Sequence, residues 1–250
     1  MKEKIKIYFA SDAHLGMDAE EESIVREKLL VRWLEEIRKD ATEIYLLGDM
    51  FDYWFEFRKV VPRGFTRFLG KIAEITDQGI PVYYFIGNHD VWIFDYLPEE
   101  TGIKVYQGPL IKSYAGKKFF IAHGDGLGPG ERSHRFLMKM TRNKILQWFF
   151  ARLHPNFSTS LAQRISSRTR YAKGITLKFL GSEKEDLIQF AREKLKTEYF
   201  DYFIFGHRHI PLEYSLNENS KLILVGDWIV NFTYAVFDGE KVSLKRYQAD

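Results

Sequence analysis

Short apolar runs recur along the chain at Ile5–Ala10, Glu43–Leu47, Val82–Ile86, Lys118–Ala122 and Tyr202–Phe205. Runs of this length predict buried strands. Between the first three, apolar residues repeat at helical spacing. One such stretch covers Glu20–Lys39, with Ile24, Leu29, Leu30, Trp33, Leu34 and Ile37 on one face, and a second covers Arg63–Gln78. Strand, helix, strand, helix, strand predicts a parallel sheet covered by helices. The pattern changes near the end of the chain. Lys221–Val225, Thr233–Phe237 and Val242–Arg246 predict consecutive antiparallel strands, with Asp238-Gly239 as a hairpin turn. A mixed sheet, or a two-sheet sandwich flanked by helices, accommodates both halves.

A different texture begins after Gly126–Gly130. A helical pattern runs over Glu131–Leu153, His154-Pro155-Asn156 interrupts it, and further helical stretches cover Ser158–Ala172 and Glu183–Lys196. The 250 residues suit one domain, with 131–181 as a helical insertion projecting from it or covering one sheet face. Charge sharpens this division. The formal net charge is only +3, yet Arg132 to Lys178 holds 11 Lys or Arg and no Asp or Glu. The remainder carries 26 basic against 34 acidic residues. A basic block on an acidic body predicts an anionic partner: phosphate, lipid surface or nucleic acid.

The absence of cysteine excludes disulfides and thiolate metal sites. No apolar run reaches the length of a membrane span. The start, MKEKIKIYFA, passes from charge directly into a strand and carries no export-signal pattern, so a cytoplasmic protein is expected.

Five strand-like runs end in polar clusters: Asp12-Ala13-His14, Gly48-Asp49-Met50-Phe51-Asp52, Gly87-Asn88-His89-Asp90, His123-Gly124-Asp125 and Gly206-His207-Arg208-His209. Loops beyond the carboxyl ends of parallel strands converge on one crevice, so these clusters can face one another. Carboxylate, amide and imidazole donors suit Mn²⁺, Fe²⁺ or Zn²⁺. One Asp can bridge two cations at about 3.5–4 Å, the separation used for displacement at phosphorus.

The ordered series Asp-x-His, Gly-Asp-x-x-Asp, Gly-Asn-His-Asp, His-Gly-Asp and Gly-His-x-His resembles the calcineurin-like metallophosphoesterase superfamily and spans residues 12 to 209. The resemblance implies an α/β fold, a four-layer αββα sandwich of two mixed sheets with two divalent metals at one edge. Asp12, His14 and His209 would hold one metal, Asn88, His123 and His207 the other, and Asp49 would bridge them. Manganese is the first expectation for both, iron and zinc the alternatives. Two dications supply a hydroxide near neutral pH and neutralise the phosphoryl oxygens. His89 would stabilise developing charge or protonate the leaving oxygen, oriented by Asp52.

Within the superfamily the chain is most similar to the UDP-2,3-diacylglucosamine pyrophosphatases of lipid A synthesis. The similarity includes Phe51-Asp52-Tyr53-Trp54-Phe55, the insertion after His123-Gly124-Asp125, and Gly226-Asp227-Trp228. It implies a lid over an acylated nucleotide sugar, cleavage to UMP and an acylated sugar 1-phosphate, and peripheral contact with the inner-membrane surface. Arg164, Ser167, Arg168 and Lys173 fall where that lid contributes polar contacts. The chain departs from the best-known members at His89, where they have Arg, and at Asp52, where they commonly have Glu. Another nucleotide or lipid phosphodiesterase is the alternative enzyme. A membrane- or nucleic-acid-binding module using the basic block is the non-enzymatic one, with nucleic acid the less expected partner because aromatics such as Trp148-Phe149-Phe150 in succession suit helix packing. Oligomeric state is not encoded legibly.

Overall fold

The fold is described from a computed structural model covering residues 5–17, 19, 21–162, 164 and 178–248. Six strands form one mixed sheet: β1 (Ile7–Ala10), β2 (Glu43–Leu46), β3 (Val82–Phe85), β4 (Lys104–Tyr106), β10 (Thr233–Phe237) and β11 (Val242–Arg246), in the order β11-β10-β1-β2-β3-β4. The second sheet has the order β5-β6-β7-β9-β8, built from β5 (Leu110–Tyr114), β6 (Lys117–Ala122), β7 (Tyr202–Phe205), β8 (Pro211–Ser215) and β9 (Lys221–Val225). β1 through β4 pair in parallel, as do β6, β7 and β9.

Alternation along each strand explains the stacking, because successive side chains point to opposite faces. Ile7, Phe9, Tyr45, Leu47, Tyr83 and Phe85 of the first sheet meet Phe119, Ile121, Tyr202, Ile204, Ile223 and Val225 of the second. The intervening residues face outward. Tyr8, Ala10, Ile44, Leu46, Val82 and Tyr84 pack under α1 (Ser23–Ile37) and α2 (Thr66–Asp77), through Leu30, Trp33, Leu34, Phe68, Ile72 and Ile75. Phe120, Phe203, Phe205, Leu222 and Leu224 pack under the helix Asp186–Leu195, through Leu187, Ile188 and Ala191. The result is helix, sheet, sheet, helix, with strands that are apolar on both faces, as parallel sheets require. The expected αββα sandwich is what the chain forms.

Register brings the strand ends together. Ala10 pairs with Leu46, and Leu46 with Tyr84, so the first three parallel strands finish side by side. In the second sheet Ala122 pairs with Phe205. All five polar clusters therefore leave the sandwich at one edge.

The structure differs from the sequence reading at three points. β9 does not join β10 and β11; it lies in the other sheet between β7 and β8. Only β10 and β11 form the expected hairpin, with Asp238 accepting from the Glu240 and Lys241 amides across its turn. The strands β4, β5 and β8 went unread, since β5 and β8 are half-exposed edges and β8 begins at a proline. A short helix, α3 (Tyr96–Thr101), precedes β4, and the helical pattern over Glu131–Leu153 splits into α4 (Arg132–Thr141) and α5 (Lys144–Phe150). Asn143 starts the second by accepting from the Ile145 and Leu146 amides at 2.9 and 3.1 Å.

α4, α5 and a helical stretch over 155–162 stand apart from the three cores. They touch the body through a small aromatic joint. Phe150 stacks on Trp92 at 5.0 Å and lies 4.9 Å from Phe55, and the Trp92 indole donates to the Thr141 carbonyl at 2.8 Å. The neighbours of Phe150 do not join it there: Trp148 and Phe149 are exposed.

Candidate metal centre

The loops after β1, β2, β3, β6 and β7 carry the candidate ligands. Eight non-glycine residues have positive φ among those described, and five of them are Asp12, His14, Asp49, His207 and His209. This left-handed geometry costs on the order of 1–3 kcal/mol per residue and persists only where the surroundings enforce it. Here the backbone is bonded from both sides. The Asp12 amide donates to Gly48, the His14 amide to the Asp49 carbonyl, the Gly206 amide to His123, and the Trp228 amide to the Asp12 carbonyl. Two glycines permit this closeness: a Cβ on Gly87 would strike the Asp49 carboxylate, and one on Gly206 would strike the Ser11 hydroxyl.

The side chains form two groups joined by a carboxylate. Asp12, His14 and His209 bring donor atoms within 4.8 Å of one another, and Asp49, His123 and His207 do the same. Asp49 also groups with His14 and His89. Its Oδ2 lies 3.8 Å from His14 Nε2 and 3.4 Å from His123 Nε2, which places it between the groups. Asp12 Oδ1 lies 3.3 Å from His209 Nε2 and 3.8 Å from His14 Nε2.

Second oxygens and second nitrogens are used to aim the first. Asp12 Oδ2 accepts from the His207 amide and Asp49 Oδ1 from the His89 amide, both at 2.8 Å. His123 donates Nδ1–H to the Leu47 carbonyl at 2.7 Å, which fixes its tautomer and turns Nε2 toward Asp49. His14 Nδ1 lies 3.4 Å from Asp52, and His209 Nδ1 lies 3.7 Å from Asp227. What remains is telling. Asp12 Oδ1, His14 Nε2, Asn88 Oδ1 and His123 Nε2 are buried with no hydrogen-bond partner. Buried polar atoms left so are costly unless a ligand satisfies them. Such atoms on Asp12, His14 and His123, which belong to the ligand groups, and on Asn88 in the loop after β3, fit a pair of divalent cations.

The electrostatics agree. Despite burial, Asp12 is drawn down to about 2 by His209 and His14, and Asp49 is held well below the usual carboxylate range by His123 and His89. Burial alone would keep His14 neutral, but Asp12 and Asp52 push it up to about 10. Asp49 likewise raises His123 against its burial. Burial, reinforced by His123, lowers His207 to about 3, and burial also lowers His209 and His89. The centre thus attracts positive charge. Protons on His14 and His123 compete with cations, so metal loading strengthens as pH rises.

The two expected catalytic side chains are adjacent. His89 Nδ1 lies 3.1 Å from the Asp52 backbone carbonyl and 3.6 Å from its carboxylate. A carbonyl can only accept, so Nδ1 carries the proton and Nε2 is the nitrogen able to accept one. The Asp52 carboxylate is nearer to His14 than to His89. Asp52 therefore stands beside both histidines, its main chain against His89 and its carboxylate within 3.6 Å of each.

Three supports escaped the sequence reading. Asp90 accepts from the Gly87 and Met50 amides at 2.8 and 3.0 Å and from the Tyr84 hydroxyl, locking the loop that carries Asn88. Burial and Asp49 raise it to about 6. Asp227 accepts from the Ile229, Val230 and Asn231 amides beside His209. The third is the Leu47 carbonyl. Asp90 and Asp227 were visible within motifs, but only packing shows what they hold. Of the four expected lid residues, Arg164 is exposed and lines neither cleft beside the centre, while Ser167, Arg168 and Lys173 lie outside the described residues.

Among the described residues, two large clefts lie beside the centre, and a smaller one of about 130 Å³ includes His207. Of the large clefts one, of about 600 Å³, includes His123; the other, of about 800 Å³, includes Asp52.

A carboxylate bridging two buried ligand groups at the edge of an αββα sandwich defines a dinuclear metallohydrolase. The profile described as Calcineurin-like phosphoesterase matches residues 5–211, and the chain belongs to this family of metal-dependent hydrolases. A UDP-2,3-diacylglucosamine hydrolase from Porphyromonas gingivalis is 42% identical over 96% of this chain and 97% of its own length. Another of that name, from Actinobacillus succinogenes, is 26% identical over 89% of this chain and 92% of its own. Among solved structures, a phosphoesterase from E. coli aligns over 97% of this chain and 93% of its own, with 13% identity and a TM-score of 0.49.

Proposed function

We propose that this chain hydrolyses the pyrophosphate of UDP-2,3-diacylglucosamine to UMP and 2,3-diacylglucosamine 1-phosphate. The observation that carries the reading is the 42% identity, over nearly the full length of both chains, to a hydrolase named for that substrate. The site supports it: a metal centre between two clefts suits a phosphoanhydride whose two halves differ.

In this reading Asp12, His14 and His209 hold one metal, Asn88, His123 and His207 the other, and Asp49 both. The metals, when bound, activate water and neutralise the phosphoryl oxygens; manganese is our first choice, with iron or zinc as alternatives. His89 sits beside Asp49 and moves a proton at Nε2 as the P–O bond to the leaving phosphate breaks. Asp52 keeps both His14 and His89 in place.

Residues 131–181 act as a lid. Phe136, Leu137, Ile145, Trp148, Phe149 and Phe157 are exposed on its helices, among the basic residues. An apolar surface rimmed by cations suits acyl chains and the anionic surface of a membrane. No helix among the described residues is long and apolar enough to cross one, so the proposed attachment is peripheral, on the cytoplasmic face of the inner membrane.

The deciding assay compares metal-dependent hydrolysis of UDP-2,3-diacylglucosamine with that of a simple phosphodiester. A kcat/KM at least about a hundredfold higher for the glycolipid is expected, as productive binding of both halves adds to transition-state stabilisation. Equal rates would reject the substrate and leave the phosphoesterase intact.

A further inference from the structure

The two clefts differ in chemistry. The one beside Asp52 is walled by Ile24, Phe57, Val60, Val61 and Phe65, with Glu22 and Glu27 among its lining residues. It offers apolar surface and little positive charge. Against the cleft beside His123, α4 turns Arg135, Met138, Lys139 and Arg142. The spacing i, i+3, i+4, i+7 is that of one helix face. Opposite stands the β4–β5 turn with Gln107, Gly108 and Pro109, and Ile86 lies beside it.

The three cations are not equivalent. Arg135 is committed to the fold, donating to the Gly128 carbonyl at 2.7 Å and to Gly126 at 3.2 Å. Lys139 and Arg142 have no ion-pair partner among the described residues. Two uncommitted cations in a cleft that ends at a candidate metal ligand are suited to an anion extending away from the centre. Pro109, Ile86 and Met138 supply apolar surface for a planar ring. Gln107 offers both a donor and an acceptor, as an imide edge such as uracil's requires.

We infer that the cleft between α4 and the β4–β5 turn is a nucleotide subsite, which receives the uridylyl half while the acylated half takes the opposite cleft. The assignment rests on the substrate reading above and adds a division of that substrate. Lys139 and Arg142 hold the phosphate and ribose side, and Gln107 reads the base.

The test is calorimetric titration of the manganese-loaded protein with UMP, CMP and uridine. Lys139→Ala/Arg142→Ala should raise the UMP Kd by about tenfold or more, the loss expected for charge-assisted hydrogen bonds, with uridine affected less. Gln107→Ala should remove the preference for UMP over CMP. The substituted α4 residues are exposed, and matching circular dichroism and metal content verify that the variants are folded. An unchanged UMP Kd in the double variant would overturn the subsite, even in an enzyme that cleaves the glycolipid. A protein inactive on the glycolipid that still loses UMP affinity through Lys139 and Arg142 would retain the subsite and lose the proposed substrate.

Discussion

The metal rim and the helical insertion are adjacent and built on opposite terms. At the rim, Asp12, Asp49 and His207 take left-handed backbone conformations and are tied by amides from neighbouring loops. The buried atoms without a hydrogen-bond partner here belong to Asp12, His14, Asn88 and His123, which are proposed to face the cations. In the insertion, Phe136, Trp148 and Phe149 are exposed, and one contact with the body is the joint of Trp92, Phe55, Phe150 and the Thr141 carbonyl. Preorganised electrostatics require fixed groups. Gripping acyl chains requires surface that can yield. One small protein keeps the two apart by placing strain where every neighbour resists relaxation, and exposed apolar area where few neighbours interfere.

The largest effect should come from breaking the rim at its centre. Asp49→Ala removes the carboxylate common to both groups, so turnover should fall roughly a thousandfold or more. Metal analysis of the purified variant should show less than full occupancy; an active, fully loaded variant would remove Asp49 as the bridge. A finer cut separates the two histidines near Asp52. His89→Ala should lower kcat by about 10²–10³-fold, the usual contribution of a positioned acid or base, while metal content stays intact. Asp52→Asn should instead weaken metal binding by about 10–100-fold, as second-layer partners of ligands do. Equal metal affinity in the two variants would contradict the division drawn between them. The smallest effect should come from the joint. Trp92→Phe keeps the ring but loses the bond to Thr141, worth about 1 kcal/mol. Faster amide hydrogen exchange in α4 and α5, together with a higher KM and little change in kcat, would mark that joint as the lid's attachment; unchanged exchange would move the attachment elsewhere.

The rim was the more legible of the two regions. Strand ends are local events, so Asp-x-His after Ala10 or Gly-Asn-His after Ile86 could be placed without knowing the neighbours. Partnership among sheets is not local: Lys221–Val225 reads like any apolar strand, and nothing within it announces that it pairs with β7 and β8 instead of β10. The same limit hid Asp90 and Asp227, whose carboxylates serve amides and imidazoles that only tertiary packing brings near. It also hid the proximity of Asp52 to His14, which is invisible along the chain. In the insertion, periodicity revealed helices but not their interruption at Asn143, where a side-chain cap overrides a continuous apolar pattern.

The two groups proposed to hold the metals have one more consequence, because each draws its members from both sheets. Asp12 and His14 follow β1 and Asp49 follows β2, whereas His123, His207 and His209 follow strands of the opposite sheet. Each cation would fasten one sheet to the other across a sequence separation of most of the chain. In a protein without cysteine, the metal pair would be a removable cross-link: it would close a long loop of the fold, and a chelator would open it where other proteins would need a reductant.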